Sequence, residues 1–177
     1  TTPGQAPGIP AAPSKPGTAV SSPPEVPGAA IPSAPGVPSA GELRSARKVI
    51  LEKGPRVVIS TPSLHGSINL TGGGIDDLSL VRYRETLDPT SPEIMLLIPK
   101  DAEKAYYAEF GWVAGDGQPV PGPETPWRAS PGTLSLENPV TLTWDNGQGL
   151  KFSRTYAVDE NFMFTVSQKV LNTGAKP

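Results

Sequence analysis

Beyond residue 43 apolar residues recur with a period of two, which places alternate side chains on opposite faces of an extended strand. The pattern is clearest near the C-terminal end. Val140, Leu142 and Trp144 alternate with Thr141, Thr143 and Asp145, and the Asn146-Gly147 pair then supplies the positive φ that tight hairpins require. Leu150, Phe152, Tyr156 and Val158 follow on one face with Arg154 among them. Asp159, Glu160 and Asn161 turn the chain into a run carrying Phe162, Phe164, Val166 and Val170, which completes a predicted three-strand antiparallel meander.

The earlier half follows the same rules with weaker alternation. Strands are predicted over residues 57–60, 64–70, 75–83, 93–98 and 107–113, with Thr61-Pro62-Ser63 and Thr71-Gly72-Gly73-Gly74 as turns between the first three. Residues 114–131 hold several Pro and Gly and read as a long loop, and the one helix predicted is short, over residues 101–108. Many short strands joined by turns predict an all-β antiparallel sandwich of eight or nine strands. Its last patterned strand would leave an exposed edge, so further strands are expected past Pro177 to cover it.

Residues 1–41 show no period. They are Pro, Gly, Ala and Ser with two charges, Lys15 and Glu25, and cannot bury enough apolar surface to offset the entropy of ordering. They are predicted to be a disordered linker that follows an upstream anchor, with residues 42–177 forming the folded part. The longest uninterrupted apolar run, residues 94–98, is far short of the ~20 residues of a membrane-spanning helix. A formal charge of −2 provides no basic field for nucleic acid, and the lack of cysteine excludes disulfides and thiolate chemistry.

Candidate chemistry is sparse. The single histidine, His65, shares a strand face with Ser63 and Ser67, but no third group is placed to orient it, and it reads as a strand-face histidine. One histidine without cysteine makes a zinc site improbable. Asp76 and Asp77 adjoin, so in a regular strand they point to opposite faces and read as turn or rim residues. Asp145, Asp159 and Glu160 fall at hairpin ends, where carboxylates accept backbone N–H bonds. The Gly72-Gly73-Gly74 run lacks the Lys-Ser/Thr ending of a phosphate loop. Phe110 and Trp144 are predicted core residues, whereas Trp127, in a Pro-rich loop, is predicted to be exposed. No catalytic, cofactor or metal residue is assigned, and no partner-binding residue can be named.

The segment TPSLHGSINLTGGGIDDLSLVRYRET over residues 61–86 resembles the first periplasmic domain of the YidC family of membrane protein insertases. Similar stretches follow in the same order: YYAEFGW at 106–112, VTLTWDNG at 140–147 and VLNTG at 170–174. The resemblance implies a β-supersandwich, of which this chain is the preceding linker and the N-terminal part. It also implies a non-catalytic periplasmic module, on the outer side of the bacterial inner membrane, of a multi-pass protein that inserts and helps fold inner-membrane proteins. The implied partners are nascent inner-membrane proteins and Sec translocon components, with membrane contact made by other parts of the parent. A sugar-binding or mutarotase-like secreted sandwich is the alternative of another class.

Overall fold

The computed structural model describes residues 40–115 and 117–174. The linker expected over residues 1–41 lies almost wholly outside the described residues. A helix, α1 (Ala40–Leu51), precedes eight strands: β1 (Arg56–Ser60), β2 (Leu64–Asn69), β3 (Ile75–Arg84), β4 (Glu93–Leu97), β5 (Arg128–Ala129), β6 (Val140–Asp145), β7 (Leu150–Val158) and β8 (Phe164–Asn172). They form two antiparallel four-stranded meanders, β1-β2-β3-β4 and β5-β6-β7-β8, in which every neighbour in sequence is a neighbour in the sheet. This is the expected all-β antiparallel sandwich.

The period-two pattern sets the register. Val57 lies opposite Ile68 and Leu64 opposite Leu80 in the first sheet, and Val140 lies opposite Tyr156 in the second. With Ile59, Leu78, Leu134, Leu142, Phe152 and Val158 these residues build one apolar core, against which Leu80 packs half-buried. Leu134 stitches the sheets together: its N–H donates to the Val58 carbonyl at 2.9 Å and its carbonyl accepts from Ser60 N–H at 2.9 Å. The glycine turn is held similarly, with Gly72 N–H donating to the Thr125 carbonyl at 2.8 Å. Gly72 and Gly73 have φ of 81° and 70°, as expected of a turn that only glycine enters without strain.

Several expectations are corrected. Residues 107–113 are not a strand. Two isolated bridges, Tyr106 to Ile98 and Ala108 to Ile75, carry the chain across sheet 1, and Phe110 and Trp112 then turn toward the interior. The helix expected over residues 101–108 is absent because Tyr106 and Ile98 exchange both backbone hydrogen bonds, at 2.7 and 3.0 Å, and close the intervening segment into a loop. The last strand begins at Phe164; Phe162 sits in the preceding turn with φ of 67°, where Asp159 Oδ1 accepts from the N–H groups of Asn161 and Met163. The expected loop 114–131 contains β5 and delivers Trp127 to the core, where it is only 4 % exposed. Finally, α1 is a helix that hydrophobic period does not predict. Its half-buried face holds Leu43, Arg44, Arg47, Ile50 and Leu51, so two of its five inward positions are arginines.

Candidate functional site

Two polar clusters and one groove are the places where chemistry could reside. The first cluster lies on the outer face of sheet 1. β2 and β3 shift register between Ser67 and Ile68, so that Ser67 faces Asp77 while Ile68 faces Ile75, and Asp76 is left as the extra residue of a β-bulge. The bulge overturns the expectation that Asp76 and Asp77 diverge to opposite faces and lie at a rim. They are 5 % and 4 % exposed and enter one network. Arg56 pairs with Asp76 and donates from Nε to Ser67 Oγ at 2.8 Å; Ser67 donates to Asp77 Oδ2 at 3.0 Å; Arg47 of α1 donates from Nε to Asp77 Oδ1 at 2.7 Å. Asn69 donates weakly to Asp76 at 3.4 Å.

Burial pushes the Asp76 carboxyl above its ordinary value of 3.8, outweighing the opposing charge of Arg56. A carboxyl with a raised folded pKa favours the folded state at low pH, and that contribution is lost as pH rises through the folded pKa. Asp76→Asn removes the titration. Urea midpoints from pH 4 to 7 should therefore show wild type losing stability relative to the variant as pH rises; parallel profiles would contradict the assignment.

The second cluster centres on Arg154, which has 0 % exposure. It occupies an inward position of β7 between Phe152 and Tyr156, as the alternation requires. Nη1 donates to the carbonyls of Gly73 at 3.0 Å and Gly72 at 3.4 Å, and Nη2 donates to that of Phe110 at 2.5 Å. The guanidinium lies 5.5, 4.7 and 5.1 Å from the ring centroids of Phe110, Trp112 and Trp127. Trp112 and Trp127 stack at 5.6 Å, and the Tyr156 hydroxyl donates to the Gly73 carbonyl. Among the described residues no carboxylate pairs with Arg154; carbonyl dipoles and three ring faces balance its permanent charge. Burial raises the Tyr156 pKa despite the neighbouring Arg154, so this hydroxyl remains a donor.

His65 is exposed, with Nδ1 3.9 Å from Glu93 Oε2. Ser67, its neighbour on the same face, is held by Arg56 and Asp77, and this removes the nucleophile and base arrangement that the spacing allowed. Asp145 and Asp159 accept backbone N–H bonds at their hairpins, at 2.9 Å from Gly147 and 2.8 Å from Asn161. The groove, of about 870 Å³, is lined among others by Trp127, Arg128, Trp144, Lys151, Phe152 and Lys169. Sequence reasoning missed the Arg154 box, although an arginine at an inward position of an alternating strand signals it. It also missed the burial of Trp127, which rests on ring stacking with Trp112 fifteen residues away in the chain. No group of three or more His, Cys, Asp and Glu side chains converges on a metal-sized site among the described residues. The charges on both clusters are directed at neighbouring protein groups.

Comparison with known proteins places this architecture. The sequence profile of the family described as YidC periplasmic domain matches residues 56–177. The chain is similar to a protein of Methylobacterium radiotolerans named membrane protein insertase YidC, with 52 % identity over 130 residues that cover 73 % of this chain and 21 % of the relative. Proteins of the same name from Methylorubrum extorquens and Dinoroseobacter shibae are 51 % and 55 % identical over 75 % and 69 % of this chain, and each match covers 21 % of the relative. The chain thus spans about a fifth of the length of these curated relatives. The profile match over β1 to β8, together with these identities, establishes that the chain belongs to the YidC periplasmic domain family.

Proposed function

We propose that this chain is a non-catalytic periplasmic module of a bacterial inner-membrane insertase. The observation that carries the reading is the family match across all eight strands, joined to relatives named membrane protein insertase YidC. The geometry supports a non-catalytic role: Ser67, Asp76, Asp77 and Arg154 are engaged in holding β2, β3, the glycine turn and the segment at Phe110. The substrates of the parent are nascent inner-membrane proteins, which are moved without covalent chemistry, and the parent is a multi-pass protein of that membrane. Sec translocon components are its further partners. Parts of the parent outside this chain make the membrane contact; among the described residues no helix is long and apolar enough to cross a bilayer. The outer edge of β8, where Val170 and Leu171 are 44 % and 52 % exposed, would also be covered there.

The decisive experiment is insertion of a reporter membrane protein by the parent carrying His65→Ala, an exposed position whose side chain has only a long contact, 3.9 Å, with Glu93. The expected rate is within about twofold of wild type, as for a surface substitution. Loss of insertion with unchanged protein level and fold would overturn the non-catalytic reading.

A second reading, a sugar-binding or mutarotase-like sandwich, draws on Trp144, the half-buried aromatic residue on the wall of the groove. Calorimetry against a panel of neutral sugars separates the two, since saturable heat would favour the second.

A further inference from the structure

We propose that α1 is a releasable clasp on the outer face of sheet 1, able to leave while the sandwich stays folded. Three observations carry this. First, none of residues 41–51 is fully buried, and the helix meets the sheet over a cavity of about 200 Å³ lined by Leu43 and Ala46 on the helix and by Met95, Ile98 and Ala102 opposite. Side chains facing this water-sized space pack against less protein there, so apolar packing holds α1 weakly. Second, the sheet face that Arg47 reaches through Asp77 also carries Ser67 and Ser79, and all three polar side chains are buried and lie on the same face by register. Uncovering such groups returns them to water, unlike opening the core. Asp77 keeps Ser67 as a hydrogen-bond partner after the helix leaves, and Asp76 keeps Arg56.

Third, two ion pairs fasten the helix, Arg44 with Glu85 and Arg47 with Asp77. Arg44 and Glu85 are each about one-third exposed, so their pair contributes little, whereas Asp77 is buried and its loss of Arg47 costs more. The connection between helix and sheet is loosest at Gly54, since the Glu52 and Lys53 N–H groups still donate to the Lys48 and Ile50 carbonyls at 3.2 and 3.1 Å. Pro55 is fixed, its carbonyl accepting from Leu70 N–H at 3.0 Å, while residues 52–54 are exposed and Gly54 has open space where a Cβ would stand. Because α1 joins residues 1–39 to the sandwich, and a detached 12-residue helix is marginal in water, its release and melting convert a helix of ~18 Å into a connector of up to ~40 Å. The clasp would set the reach of the tethered sandwich.

Amide-resolved hydrogen exchange on the 177-residue chain tests this. In wild type the hydrogen-bonded amides of α1 should exchange roughly 100-fold faster than those of β7, yet remain measurably protected, as for a sub-global opening. Arg47→Gln should lower α1 protection about tenfold and Arg44→Gln about two- to fivefold, with β7 unchanged. The swap Arg44→Glu with Glu85→Arg should restore the second loss. The clasp is overturned if α1 exchanges as slowly as β7, if it shows no protection at all, or if Arg47→Gln lowers protection in β7 as much as in α1. The wild-type comparison alone decides the matter should a variant fail to fold.

Discussion

Arg154→Met is expected to destabilise the folded chain by about 3 kcal/mol while nearly preserving side-chain volume. Opposing effects of similar size meet here. Removing a buried cation relieves a desolvation cost of several kcal/mol, and isolated buried pairs have been replaced by apolar residues without loss for that reason. In this site, however, the guanidinium is the donor for the carbonyls of Gly72, Gly73 and Phe110, which lie on two segments with no strand pairing to β7. Each stranded buried carbonyl costs about 1–3 kcal/mol, and the contacts with Phe110, Trp112 and Trp127 are lost as well. The carbonyl cost wins because methionine has no donor for Gly72 or Phe110, whereas the Tyr156 hydroxyl still donates to the Gly73 carbonyl. Arg154→Lys should recover only part of the loss, since one ammonium cannot reproduce the planar fork that reaches both segments. Urea unfolding with linear extrapolation measures this. A loss under about 1 kcal/mol for Arg154→Met would show that the carbonyls find other donors.

Gly66→Ala is expected to cost about 3 kcal/mol or more, or to prevent β2 and β3 from pairing in their present register. Gly66 lies mid-strand, opposite Ile59 on one side and Leu78 on the other. A Cβ there would stand 2.1 Å from the Asp77 carbonyl oxygen and 3.0 Å from Leu78 Cα. Both obstacles are backbone, so no rotamer change relieves them, and the bulge at Ser67 and Ile68 already fixes the local path of the strand. Moving β3 away would disturb Asp76 and Asp77 together with their arginine partners. Gly54→Ala is the control, since a Cβ there meets nothing within 4 Å and the residue is exposed. Equal midpoints for the two variants would mean that the strands separate at Gly66 with little resistance.

The clusters differ in how far they could be read from sequence. Arg154 belongs to an alternating strand, so its inward direction follows from Phe152 and Tyr156 on either side. Its partners do not, because Gly72 is 82 residues away and Phe110 is 44. The burial of Asp76 and Asp77 was illegible for another reason. Strict alternation sends neighbours to opposite faces, and only the pairing of β2 with β3 reveals the extra residue that brings both carboxylates onto Arg56 and Ser67. The helix α1 left a usable signal in Ser39-Ala40-Gly41-Glu42, a Ser-x-x-Glu pattern of the capping-box type, which hydrophobic period overlooks.

The sequence by itself determined where most strands and their tight turns lie, because period-two burial, the Asn146-Gly147 hairpin and the positive-φ glycines act over a few residues. It also determined the family, through similarity spread along most of the chain. Tertiary structure alone decided that residues 107–113 bridge and do not pair as a strand, that Trp127 is buried, that two adjacent carboxylates share one network, and that α1 is fastened by arginines. Each of these depends on which distant segment lies opposite. Local alternation specifies the face a side chain takes, whereas its partner is chosen by the packing of the two sheets and the segments that cross them.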